Sequence, residues 1–120
     1  LKIDTQEIQV SLARYITIGK LEDCLKAIFQ MSKEKQLDDV LREYIEECDE
    51  FEHLQDDDKI FIYSSLKKIL RLLELVIKHP NVNPILFVHS VKTKSILEEA
   101  FFNVAHIIPS ILNIKIIVMH

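Results

Sequence analysis

Five polar residues that could bind phosphate follow a short apolar run in the last third of the chain. They are His89, Ser90, Lys92, Thr93 and Lys94. Ligands of open parallel sheets gather beyond the carboxyl ends of the strands, where a following helix also presents its N-terminus. The hydroxyls and the two cations therefore predict contacts with an RNA or nucleotide phosphate. The alternative interpretation is that Ser90 and Thr93 cap a helix and that the lysines are solvated.

Other kinds of reactive site lack their sequence signatures. The chain has a single glycine, Gly19, whereas a loop that cradles phosphate needs several so that backbone N–H groups can close on the anion. The histidines form no H-E-x-x-H motif and the cysteines form no C-x-x-C motif, so zinc binding is not predicted. Cys24 and Cys48 fall at regular positions of helical apolar patterns, and we predict that they are reduced core thiols. No residue is assigned a catalytic role.

Two groups of charged residues have both a structural and a functional interpretation. Asp56–Asp58 can stabilise the N-terminus of a long helix. A metal site is the less favoured alternative, because three consecutive carboxylates on a helix point in different directions. The polar face of the same helix carries Lys67, Lys68, Arg71 and Lys78, of which the first three are the predicted partner surface. These cations form either a solvated face or a surface that binds a partner or phosphate.

The five polar residues lie in a segment whose apolar pattern changes period twice. Ile85–Val88 is an unbroken apolar run typical of a buried parallel strand, and Ile114–Met119 is a second such run. Between them, a capping-box pattern begins at Ser95, apolar residues of helical period begin at Ile96, and Pro109 limits the helix. The order predicts a βαβ unit with a right-handed crossover.

The first eighty residues show mostly helical patterns. Apolar spacing from Ile8 to Ile16 favours a first helix that ends near Gly19, although Ile8 and Val10 also alternate as they would in a strand. Later helical stripes cover Leu21–Ile28, Leu37–Phe51 and Ile62–Ile77. We therefore predict a helix-rich α/β fold, with a helical cluster at 1–56 and a long helix plus the βαβ unit at 57–120. An all-α bundle or helical repeat is the alternative.

Composition indicates a globular chain. An apolar content of 48% is ample for a core, and a net charge of -4 disfavours bulk attraction to nucleic acid. A local basic patch could still bind phosphate, because charges are screened beyond about 10 Å at ordinary salt. No apolar run approaches the roughly 18 residues of a membrane span. We therefore expect no membrane partner, and the cysteine usage favours a cytoplasmic setting.

The order of long helix, turn, apolar strand, helix and second strand resembles the opening of the second RecA-like lobe of superfamily 2 helicases. The matching segments are Ser65–Leu75, Pro84–Ser90 with Thr93, and Ile116–His120. The long stretch 91–113 and the helical part before Leu66, with Leu41–Cys48 in it, resemble one branch of these helicases. This is the double-stranded-RNA group that includes Dicer and the cytosolic antiviral RNA sensors.

The resemblance implies that the chain is a segment of a double-stranded-RNA-dependent helicase or ATPase of RNA silencing. Residues 1–56 would be a helical insertion, and 57–120 would open a parallel RecA-like sheet. The expected partners are double-stranded RNA and an accessory double-stranded-RNA-binding protein, with Ser90 and Thr93 facing phosphates. ATP and Mg²⁺ would belong to the parent protein, and this segment would bind no cofactor. A non-enzymatic, all-helical protein–protein interaction module is the alternative function.

Overall fold

A small parallel sheet organises the fold. The computed structural model describes residues 8–10, 17–31 and 36–119. Its strands and α-helices are β1 (Ile8–Val10), α1 (Ile18–Met31), α2 (Leu37–Glu47), α3 (Asp56–Lys78), β2 (Ile85–Val88), α4 (Val91–Val104) and β3 (Lys115–Val118). Two 3-10 turns, Asp49–Phe51 and Pro109–Asn113, follow α2 and precede β3.

The three strands are all parallel and lie in the order β1-β2-β3. Leu86 of the central strand is in register with Ile8 on one side and Ile116 on the other. The predicted βαβ unit is thus confirmed as β2, α4 and β3, and the helix-rich α/β class is confirmed with it. The all-helical alternative is wrong, because the apolar runs at 85–88 and 115–118 pair with each other.

The prediction of a first helix from Ile8 is wrong for the residues that the structure describes there. Ile8–Val10 is a strand that pairs with β2, and Leu12 to Ile16 lie outside the described residues. Gly19 does not end a helix, since it lies in the first turn of α1, which begins at Ile18. The amide of Lys20 donates to the Thr17 side-chain oxygen at 3.3 Å, which fixes that first turn. The alternation of Ile8 and Val10 was therefore the informative pattern.

The helix of the βαβ unit begins earlier than its capping-box pattern predicts. Ser90, not Ser95, is the N-cap of α4, because its side chain accepts a hydrogen bond from the amide of Thr93. The helix ends at Val104, and Pro109 begins the 3-10 turn that leads to β3. Ser95 is an exposed residue inside the helix.

The core lies between the helices and the sheet. α1 packs against α2 and α4, α3 packs against α2 and β1, and α4 covers β2 and β3. The apolar stripes predicted from the sequence supply the core, including Cys24 and Cys48, and both thiols are free. The predicted division at residue 56 stays a prediction, although β1 pairs with a strand beyond it. No helix in the described part of the chain combines the length and apolarity that crossing a membrane requires.

Candidate functional site

The turn between β2 and α4 holds the polar residues predicted to bind phosphate. Ser90 adopts an extended backbone (φ -145°, ψ 155°), and its hydroxyl oxygen accepts from the Thr93 amide at 3.1 Å. The hydroxyl oxygens of Ser90 and Thr93 lie 3.0 Å apart and share a second hydrogen bond. The Lys94 amide donates to the Ser90 carbonyl oxygen at 3.1 Å, which closes the first helical turn. Ser90 and Thr93 therefore form a local cap at the carboxyl end of the central strand.

The predicted phosphate residues differ in their access to solvent. The side chains of His89 and Lys92 are exposed, whereas those of Ser90 and Lys94 are half-buried. Thr93 is only 1% exposed, so its hydroxyl serves the cap and does not face an open surface. Of the five residues, the structure joins Ser90 and Thr93 by hydrogen bonds and leaves His89 and Lys92 beside them on the surface. The assignment of all five to phosphate stays a prediction.

Lys92 and Lys94 do not act on the same surface. Residues two apart on a helix point to different sides. Lys94 lines a groove together with Glu98 of α4 and with Lys115 at the start of β3. Lys92 is exposed on the first turn of α4, next to the end of β2. A ligand at the carboxyl end of β2 could therefore contact Lys92 and the exposed His89.

The cations predicted as a partner surface on α3 are not equivalent. The Lys67 ammonium lies 3.3 Å from Oδ1 and 3.4 Å from Oδ2 of Asp38 on α2. It also lies 5.7 Å from the centroid of the Tyr63 ring, and the Arg42 guanidinium lies 5.9 Å from the same centroid. Lys67 therefore ties α3 to α2, whereas Lys68 and Arg71 are exposed on α3. Whether these cations bind a partner stays a prediction.

A groove between α2 and α3 was not predicted from the sequence. It has a volume of about 570 Å³ and is lined by Arg42, Ile45, Glu46, Asp56, Lys59, Ile60 and Tyr63. The Ile60 side chain is 62% exposed on one wall. The available signal was that Ile60 and Phe61 lie outside the buried stripe of α3, which begins at Ile62.

Two buried thiols and a tyrosine form a cluster between α1 and α2. Burial raises the pKa of the Cys24 thiol and the nearby Cys48 adds to this rise, while a hydrogen bond with Tyr44 and the charge of Lys20 oppose it, so that the net pKa is about 12. Burial also raises the pKa of Tyr44, and the neighbouring Cys24 and Cys48 add to this effect. A thiol that stays protonated is a poor nucleophile and a poor metal ligand. The cluster is therefore part of the core, as its apolar pattern predicted.

The raised pKa of Cys24 predicts a loss of stability at alkaline pH. An unfolded chain ionises this thiol near pH 9, whereas the folded chain keeps it protonated up to about pH 12. Between these values the folded state binds one more proton than the unfolded state, so the free energy of unfolding falls as pH rises. Ionisation of Cys24 is expected to lower the free energy of unfolding by about 1.4 kcal/mol for each pH unit between these two values. Below pH 9 the thiol is protonated in both states, so it causes no pH dependence there. Urea unfolding at successive pH values across this interval measures it.

The control for this prediction is Cys24→Ala. The variant is expected to be less stable at every pH, because it loses packing, but its stability should fall less steeply above pH 9. Because Cys24 also raises the pKa of Tyr44, the difference between the two slopes reports Cys24 together with its effect on Tyr44. Equal slopes would mean that the thiol does not carry the effect.

The described residues offer no metal centre. Within 8–10, 17–31 and 36–119, no group of three or more His, Cys, Asp or Glu side chains could hold an ion. Asp56–Asp58 instead form the first turn of α3, where carboxylates meet the positive end of the helix dipole. The N-cap itself is Gln55, which makes no side-chain cap hydrogen bond.

The fold and the candidate site define a helix-rich α/β protein with a polar turn at the carboxyl end of its central strand. Comparisons with family models, curated proteins and solved structures found no match for this chain.

Proposed function

We propose that this chain is a segment of a double-stranded-RNA-dependent helicase and that it contributes contacts to duplex RNA or to an accessory double-stranded-RNA-binding protein. The observation that carries the proposal is the polar turn His89–Thr93, at the carboxyl end of the central strand of a parallel sheet. Ligands of open α/β sheets bind beyond the carboxyl ends of the strands, and the N-terminus of α4, which lies at that end of β2, favours anions. A RecA-like arrangement of the sheet is part of the proposal.

The chemistry of the turn suits the backbone of RNA better than its bases. Lys92 and His89 are exposed beside the cap, and Ser90 and Thr93 hold the first turn of α4 in place through their hydrogen bonds. A cation on a fixed helix N-terminus binds phosphate through charge and carries no sequence information. Duplex RNA is recognised mainly in this way, through its shape and its backbone. In the parent helicase, ATP and Mg²⁺ would be bound by other residues.

The test is a titration of duplex RNA of about 16 base pairs, the length that one double-stranded-RNA module spans. We expect Lys92→Glu to weaken binding several-fold and to reduce the dependence of log K on log salt by about 1, because one phosphate contact is lost. Fluorescence anisotropy at several salt concentrations measures both quantities.

The matched control is Lys115→Glu, which makes the same charge change on an exposed residue. Lys115 begins β3, and because β3 runs parallel to β2 it lies at the opposite end of the strands from the polar turn. Its substitution should change affinity little. Equal losses in the two variants would contradict a local contact at Lys92, and an unmodified chain that does not bind the duplex would remove the RNA-binding proposal.

Protein–protein interaction remains the second candidate function. It is favoured by the groove between α2 and α3, because a groove with the exposed Ile60 on one wall can bury an apolar side chain of a partner. The same titration separates the two candidates, since this role requires no affinity for duplex RNA.

A further inference from the structure

The outer edge of β3 is open in the part of the chain that the structure describes. β3 has β2 as its neighbour on one side and no strand on the other side. The amides of Lys115 and Met119 both donate to carbonyl oxygens on the β2 side at 2.9 Å. Because a strand directs the N–H and C=O of alternate residues to opposite sides, those of Ile116 and Val118 point to the open side. Such an edge is a template for pairing with another strand.

A groove with both apolar and charged lining residues runs along the same edge. It has a volume of about 430 Å³ and lies between α4, the 3-10 turn before β3, and β3 itself. Phe102 of α4 is 72% exposed and Leu112 of the turn is 58% exposed, and both line the groove. Exposed apolar side chains next to an open strand edge are characteristic of an interface.

One stripe of α4 shows which partner fits this edge. Val91, Lys94, Glu98 and Phe102 are three, four and four residues apart, so they share one side of the helix. Its two ends are apolar and exposed, with Val91 at 67% and Phe102 at 72%, and its middle carries one positive and one negative charge. When the same stripe of a second copy of α4 runs antiparallel to the first, Val91 of each copy lies opposite Phe102 of the other. Lys94 of each copy then lies opposite Glu98 of the other. The stripe is therefore complementary to itself under a two-fold rotation.

The strand is complementary to itself under the same kind of rotation. An antiparallel copy of β3 centred on Ile117 places Ile116 opposite Val118 in both halves. These are the residues whose N–H and C=O groups point outward, so they can exchange hydrogen bonds. Lys115 falls opposite Met119 and not opposite a second lysine, so no like charges face each other. Strand and helix thus favour the same antiparallel partner.

We propose that a second copy of this chain docks on this surface, to give a two-fold dimer in which β3 pairs with β3 and α4 packs against α4. The two three-stranded sheets then form one continuous sheet. Charge complementarity identifies the occupant, because the order of Lys94 and Glu98 matches its own antiparallel copy. The docking also covers the exposed ends of the stripe, Val91 and Phe102.

The test measures the mass of the 120-residue chain by sedimentation equilibrium over a range of concentrations. We expect a concentration-dependent dimer. Glu98→Lys places lysine opposite lysine twice and should raise the dimer dissociation constant about tenfold or more. The double variant Lys94→Glu with Glu98→Lys restores opposite charges and should restore the dimer. Because Glu98 is exposed, the reversal leaves the core unchanged.

A second variant tests the strand. Val118→Pro removes an N–H group that β2 does not use, so the monomer should keep its fold while the dimer is lost. Its unfolding midpoint should fall somewhat, because the Val118 side chain packs partly against the core, and Val118→Ala, which loses the same packing but keeps the N–H group, should still dimerise. A chain that stays monomeric at all concentrations overturns the proposal. A double charge variant that associates no better than Glu98→Lys overturns it too, as does a proline variant that dimerises as strongly as the unmodified chain.

Discussion

Replacing Phe51 with alanine is expected to lower the free energy of unfolding by about 3 to 5 kcal/mol. The Phe51 side chain is fully buried, although it lies in a short 3-10 turn after α2 and not in a long element. It packs in the core cluster that joins α1, α2, α3 and the sheet. A domain of this size is stable by only about 5 to 15 kcal/mol, so the variant should lose a large part of its stability. Urea unfolding followed by circular dichroism measures the change.

The matched control for Phe51→Ala is the same substitution at Phe102. That ring is 72% exposed, so its removal should change the stability of the monomer by no more than about 0.5 kcal/mol. Low protein concentration keeps association from contributing to the result. If the two variants lost similar amounts of stability, the turn at Asp49–Phe51 would not hold a core side chain as described.

Replacing Leu86 with alanine is expected to cost about 2 to 5 kcal/mol. Leu86 lies at the centre of the middle strand, in register with Ile8 and Ile116, and its side chain is fully buried. The truncation leaves a cavity in the core beside the middle strand, which has a neighbouring strand on each side and is covered by α4. The midpoint of urea unfolding should fall without a change in the m-value, since the surface exposed on unfolding stays nearly the same.

Ile85→Ala is the control within the same strand. Ile85 and Phe87 are half-buried and point to the other face of the sheet, because side chains alternate along a strand. The smaller buried area should reduce the cost to less than half of that for Leu86→Ala. Equal costs would show that both faces of β2 are equally enclosed, contrary to the burial pattern of the strand.

Much of the fold could be predicted because burial leaves a periodic trace in the sequence. The apolar runs at 85–88 and 115–118 became strands, and the stripe from Ile62 became α3. Cys24 and Cys48 became core residues for the same reason. A side chain that must leave water recurs at the period of its element, so the pattern is local and can be read without partners.

The strand β1 could not be predicted from its local pattern. Ile8 and Val10 fit both a helix and a strand, and their immediate neighbours do not distinguish the two. Ile8 and Val10 are extended because they pair with Leu86 and Val88 of β2, a strand far along the chain. Hydrogen bonds between distant strands leave no local signal in a segment of three residues.

The candidate site, too, was predicted only in part from the sequence. The sequence identified a polar turn with hydroxyls and cations after the first apolar strand, and that turn lies at the carboxyl end of β2. Its capping-box pattern indicated Ser95 as the cap of the helix, which was wrong, because Ser90 and Ser95 both precede apolar residues of helical period. The burial of Thr93 and its hydrogen bonds with Ser90 decided this.

By itself, the sequence predicted most of the apolar core, the helical stripes and apolar runs of the second half of the chain, and the position of the polar turn. Only the tertiary structure showed that residues 8–10 form the strand β1 and that α4 begins at Val91. It alone also showed the ion pair of Lys67 with Asp38 and the position of Lys94 in a groove away from Lys92. The physical reason is that burial imposes a repeating local pattern, whereas a polar group finds its partner wherever the fold brings a complementary group within about 3 Å.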